Sequence, residues 1–252
     1  MGYREPLSFC GECGTAWAAG ASACGRCGKP RVTAAAVEQT GMSAGAGLVS
    51  ALALYFVLLG TLLASYLLDS ADFFAVLDSI LVVDTIVVLI WAFVHRADLV
   101  GPLRTVGDMR YWGIAVAAVP VTVAIAYGNL WAAQNLVGAS SVDALGLCID
   151  AGYSLPLLLL TWSLQPAVIE ELAFRGILFE RVSAVVEPWA AIVVVAIAFT
   201  TLHLAVLSGV FLMCLGVLAG WLRWRSGSIY PGVVLHLLHN AVVVLLMWIG
   251  VW

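Results

Sequence analysis

The sequence predicts an all-α polytopic membrane protein of seven to eight transmembrane helices, with a small cysteine-bearing module at its N-terminus. Three observations carry this. Hydrophobic residues make up 63% of the 252 and charged residues 10%, with a mean hydropathy of +1.06, whereas soluble domains hold about 45–50% apolar and 25% charged residues. The apolar residues fall in runs near the ~20 residues that cross a hydrocarbon core of roughly 30 Å. Two C-x-x-C pairs stand ahead of the first run. A net charge of −4, with the few arginines in short loops, leaves no broad basic surface and excludes nucleic acid as a partner. The polar, Cys-rich start has no signal-peptide character, so the N-terminus is expected to stay where it is made.

Residues 1–31 are read as a zinc ribbon. Cys10, Cys13, Cys24 and Cys27 form two C-x-x-C pairs, each followed by a glycine, Gly14 or Gly28, which permits the tight turn that aims two thiolates at one tetrahedral ion. So short a segment cannot bury a core of its own, and the metal must supply most of its folding free energy. The alternative is two disulfides, disfavoured by cytosolic placement, or four unligated thiols in a floppy tail. Residues 32–46 are small, polar and without periodicity, as a flexible linker is.

Spanning helices are predicted at 47–68, 74–94, 111–133, 145–164, 188–206, 207–224 and 229–250, within a membrane domain of residues 47–252. The ribbon carries Arg4, Arg26, Lys29 and Arg31, and the second loop Arg96, Arg104 and Arg110, while the loops near Asp69 and Asn135 have neither Lys nor Arg. The positive-inside rule then places the N-terminus in the cytoplasm of a cell whose plasma or cytoplasmic membrane holds the protein. Arg223 and Arg225 join that side if the helix at 166–186 is only partly inserted, giving seven crossings; a full crossing there gives eight.

That last helix holds the chemistry. The stretch "PAVIEELAFRG" carries Glu170, Glu171 and Arg175 inside an apolar chain, and each ionisable group at membrane depth costs at least about 2.5–3.5 kcal/mol. Pro166 suits a first helical turn. Glu171 and Arg175 are one turn apart and able to pair, whereas Glu170 points about 100° away. One carboxylate is thus neutralised within the helix and the other left for proton transfer. Downstream, His203 follows Phe199 by one turn and Asn240 follows His236 by one turn, so that three of the four histidines, with His239, lie in apolar segments. A single such histidine is an ordinary core residue; with a Glu-Glu-Arg cluster they point to a site assembled from several helices.

Taken in order, Glu170-Glu171-x-x-x-Arg175, Phe199-x-x-x-His203 and His236-x-x-x-Asn240 resemble the three motifs of the CPBP intramembrane proteases, a family that includes the CAAX prenyl endopeptidases of the Rce1 type and bacterial abortive-infection-like proteins. The likeness covers roughly residues 145–250. It implies an endopeptidase acting on a membrane-embedded or lipidated protein or peptide within the bilayer. Glu170 would activate water with His203, His236 and Asn240 would bind the oxyanion, and Glu171 with Arg175 would hold the geometry. A zinc site of His203, His236 and a glutamate is the rival chemistry; the metal-free version is favoured because H-E-x-x-H is absent and Asn is a poor zinc ligand. The ribbon is not part of the family's minimal form and suits contact with a cytosolic protein. The alternative function is a silent membrane scaffold or sensor that recruits its partner through the ribbon.

Overall fold

A computed structural model describes Cys24 and residues 44–67, 73–138, 144–204 and 208–251. Of the ribbon, only Cys24 is included, and it is buried; Cys10, Cys13 and Cys27, and the linker up to residue 43, lie outside the described residues. Among the described residues there are nine helices: α1 Ala44–Leu67, α2 Phe73–Val94, α3 Arg96–Arg104, α4 Met109–Leu136, α5 Ala144–Asp150, α6 Leu155–Ser183, α7 Pro188–Leu202, α8 Gly209–Ser226 and α9 Tyr230–Trp248. There is no strand among the described residues. This is an all-α membrane protein.

Local chemistry explains most helix ends. Prolines at the first turn open α6 (Pro156), α7 (Pro188) and α9 (Pro231), where a missing N–H costs nothing. Asp108 caps α4 by accepting from the Arg110 amide at 2.9 Å. Gly227, at φ 70°, closes α8 in the left-handed conformation that glycine takes without strain.

Among the described residues, fewer helices are long and apolar enough to cross than the seven or eight expected. Four helices, α1, α4, α6 and α9, are long and apolar enough to cross, and α2 with α3 would make a fifth as one span bent by 96°. Two departures account for the difference. The predicted helix at 145–164 is broken after Asp150 by a turn through Gly152, at φ 88°. The chain then enters one 29-residue helix, α6, that carries on through Pro166 to Ser183, about 43 Å at 1.5 Å per residue. Pro166 therefore lies inside a helix long and apolar enough to cross instead of opening a separate one. A π-helical turn at Leu160–Leu164 takes up the distortion just before it.

The second departure concerns α7 and α8, expected as two full spans. With 15 residues, α7 is about 22 Å long, short of the roughly 30 Å core. Near its far end, Thr201 bonds Tyr55 at 2.8 Å, halfway along α1. The helix α8 returns beside it, packed so closely that a Cβ on Gly216 would lie 3.0 Å from the Ala196 side chain and one on Gly220 3.2 Å from Ile192. Small residues four apart allow this approach.

Because α7 and α8 return on themselves, the end of α8 meets α3. Ile229 N–H reaches the Pro102 carbonyl at 3.4 Å and the Tyr230 hydroxyl donates to the Leu103 carbonyl at 2.7 Å. Arg181, at the end of α6, pairs with Asp98 of α3. Arg96, Arg104, Arg181, Arg223 and Arg225 thus share one end of the molecule, an arrangement compatible with a crossing by α6. The main core lies where Leu54 and Leu58 of α1, Phe174, Ile177 and Leu178 of α6, and Ile192, Val195 and Phe199 of α7 meet.

Candidate active site

Two adjacent residues of α6 send their carboxylates to different partners. Glu171 is turned inward. Arg175 Nη1 donates to its Oε1 at 2.9 Å, and both side chains are 1% exposed. The guanidinium also donates through Nη2 to the Gly216 carbonyl at 3.1 Å and stands 4.7 Å over the Phe199 ring. A buried ion pair gains from further partners; α8 supplies one as a bare backbone oxygen, while Arg175 Nε and Glu171 Oε2 have no hydrogen-bond partner among the described residues. Just after Glu171 the helix widens into a second π-helical segment, Leu172–Leu178, buried throughout. Arg223 Nε donates to the Arg175 carbonyl at 3.1 Å and its guanidinium pairs with Glu180.

Glu170 faces the end of α7. Its Oε2 lies 3.9 Å from His203 Nε2, each side chain being about 30% exposed, and among the described residues this buried oxygen has no hydrogen-bond partner. At 2.8 Å, His203 Nδ1 lies against the Phe199 carbonyl. A carbonyl only accepts, so Nδ1 carries a proton and Nε2 is the ring nitrogen turned toward Glu170. The separation is too long for a direct hydrogen bond. The next residue, Leu204, has φ 49°, a conformation costly for a side chain with a Cβ and found where local geometry is under functional constraint.

From α9, His236 places Nδ1 3.3 Å from Glu171 Oε1. Its ring meets the edge of Phe199 with centroids 6.0 Å apart, and the His203 ring lies against Phe199 at 4.7 Å. Phe199 is the shared wall that joins the two carboxylate–histidine pairs into one cluster. One turn before His236, Gly232 leaves space for Glu171: a Cβ there would stand 2.7 Å from Oε2.

Asn240, one turn beyond His236, donates from Nδ2 to the Trp162 carbonyl at 3.1 Å. Pro166 has no N–H to offer the carbonyl four residues before it, and that carbonyl belongs to Trp162. The asparagine of one motif thus compensates the proline that precedes another. His239 stands apart: it is buried, stacked on Phe211 and bonded through Nδ1 to Thr122 Oγ1 at 3.0 Å.

All six motif residues fall within α6, the end of α7 and α9, and five of them meet around Phe199, with Asn240 one turn away on α9. The two histidines face different glutamates, and among the described residues no three His, Cys, Asp or Glu side chains lie together as a metal ligand set. Sequence reading missed Gly216, Gly232 and Arg223, which support the buried pair. A glycine one turn before a motif histidine was the available signal for Gly232. It also passed over Asp84, a carboxylate in the middle of α2 that accepts from Thr61 at 2.7 Å and is within electrostatic reach of Glu170; an acidic residue at mid-span was its signal.

Another polar chain, Ser50 Oγ to His95 Nε2 at 2.9 Å and His95 Nδ1 to Asp98 Oδ2 at 3.3 Å, has the order of a hydrolase triad. Ser50 lies inside α1, where neighbouring amides are committed to the helix and none can serve an oxyanion. The chain ties α1 to the α2–α3 bend.

A carboxylate and an imidazole facing each other between membrane helices, beside a second, neutralised carboxylate, define a class: an intramembrane hydrolase site. Residues 152–242, from the turn before α6 into α9, match the family model described as type II CAAX prenyl endopeptidase Rce1-like. Over these residues the chain is similar to the Rce1 type, and that family is one of CAAX-type intramembrane proteases. None of the curated proteins and none of the solved structures matches the chain.

Proposed function

We propose that the protein is an endopeptidase that hydrolyses a peptide bond in a membrane-associated or lipidated protein, using a water activated by Glu170. The observation that supports this most is the 3.9 Å approach of Glu170 Oε2 and His203 Nε2, two acceptors aimed at one point. A single water donates one proton to each. As the carboxylate takes a proton, the water oxygen adds to the scissile carbonyl carbon and the carbonyl π pair moves to its oxygen. Collapse of this tetrahedral species breaks the C–N bond, and the proton held by the Glu170–His203 pair passes to the leaving amine.

The oxyanion is met from α9. His236, whose Nδ1 lies 3.3 Å from Glu171 Oε1, turns an N–H to the oxyanion. Asn240 Nδ2 has two N–H groups; one is held by Trp162 and the other is free to donate. Glu171 and Arg175 keep both histidines in place through Phe199. This route is metal-free. In the ribbon, four thiolates, Cys10, Cys13, Cys24 and Cys27, hold a structural zinc and offer a surface to a cytosolic protein, with the N-terminus on the cytoplasmic side of the plasma or cytoplasmic membrane.

Purified protein assayed on a lipidated peptide tests the reading. Glu170→Gln, His203→Ala and His236→Ala should each lower turnover by at least about 100-fold, the lower end of what acid–base groups contribute, with the melting transition retained. Undiminished turnover in all three would end it; unfolding caused by Glu170→Gln would favour a scaffold in which the cluster only locks helices.

A further inference from the structure

At the end of the molecule where the arginines gather, a groove of about 460 Å³ opens between α3, α6 and α9, within the ~300–1,000 Å³ range of small-molecule sites. Its walls are Leu99 and Leu103 of α3, Val168 and Leu172 of α6, and Ile229 and Val233 of α9. They present almost no polar surface. The Tyr230 hydroxyl at the margin is already committed to the Leu103 carbonyl. A peptide seated here would leave its amides without partners, whereas a hydrocarbon chain needs none.

Arg96 and Arg104 complete the lining from the two ends of α3, about 12 Å apart along the helix. Arg110, Arg175, Arg181 and Arg223 each hold an acidic side chain. By contrast, no carboxylate among the described residues pairs with Arg96 or Arg104. Arg96 spends one N–H on the Phe93 carbonyl at 3.1 Å and keeps the rest. Both side chains are exposed, and α3 turns by 96° from α2, so the pair lies across the end of a membrane helix.

We infer that this groove binds an anionic phospholipid of the bilayer, its acyl chain between α3, α6 and α9 and its phosphodiester on Arg96 and Arg104. Charge complementarity selects the headgroup and the apolar wall selects the chain. Val168 stands three residues before Glu171, and Val233 three before His236. The lipid therefore packs against both helices one turn from Glu171 and His236.

The test uses purified full-length protein in neutral detergent, titrated with phosphatidylglycerol or with phosphatidylcholine of the same chains, read by native mass spectrometry and thermal shift. Wild type should bind phosphatidylglycerol more tightly and be stabilised by it. The double variant Arg96→Gln/Arg104→Gln should lose on the order of thirtyfold of that affinity, at ~1 kcal/mol per arginine, and bind phosphatidylcholine as before. Val100→Trp, from the exposed side of the same wall, should weaken both lipids and leave proteolysis in detergent unchanged. Equal binding of the two lipids to wild type, or a preference that survives the double variant, overturns the inference. So does equal binding of glycerol phosphate, which lacks the chain. Protection of the groove by a lipidated peptide but not by phosphatidylglycerol assigns it to substrate and also refutes the claim.

Discussion

Exchanging Asn240 for leucine removes the donor to the Trp162 carbonyl while keeping the side-chain volume. Both residues are half-buried, so the orphaned carbonyl should cost about 1–2 kcal/mol, the lower part of the range for a buried unsatisfied group. Pro166 is what makes Trp162 depend on Asn240. In a Pro166→Ala background the new amide can take the carbonyl, and the cost of Asn240→Leu should fall below about 0.5 kcal/mol, a coupling visible in a double-mutant cycle. Denaturant unfolding in micelles measures stability, and cleavage of a lipidated peptide measures activity. If Asn240 also donates to the oxyanion, activity stays low in the double variant even though stability returns. Equal destabilisation in both backgrounds would refute the compensation argument; recovery of activity together with stability would refute the oxyanion role.

Arg175→Met should destabilise by about 3–5 kcal/mol, since it removes the guanidinium that neutralises buried Glu171, whereas Glu171→Gln/Arg175→Met should regain most of this; equal unfolding midpoints for the two would contradict the pairing. Gly232→Ala brings a Cβ to 2.7 Å from Glu171 Oε2, and the carboxylate must turn away from Arg175 and His236. We expect a loss of about 1–3 kcal/mol, as for other overpacked sites, with a fall in kcat. A variant with Cys10, Cys13, Cys24 and Cys27 all changed to Ser should lose its zinc yet keep the helical membrane fold by circular dichroism; zinc retained by that variant would point to ligands among the helices.

Composition and run length suffice to announce a helical membrane protein, because the cost of exposing an unsatisfied backbone in hydrocarbon leaves few other solutions. The motif residues were equally legible, since a charge or imidazole in an apolar run is too costly to be incidental. Their partners were not. The i, i+4 spacing of Glu171 and Arg175 makes a pair possible, but Gly216, Phe199 and His236 come from sequence positions up to 65 residues away, and only the packing of α6, α7, α8 and α9 brings them together. Crossing number shows the same division. Hydropathy counts apolar residues one window at a time, so it reads 145–164 as one span and leaves 166–186 as a separate helix, partly inserted or crossing. Whether a helix passes through a proline, or α7 turns back halfway, depends on a carbonyl finding Asn240 and on Gly216 and Gly220 letting two backbones approach. Those are contacts between segments distant in the chain, and no local pattern of residues encodes them.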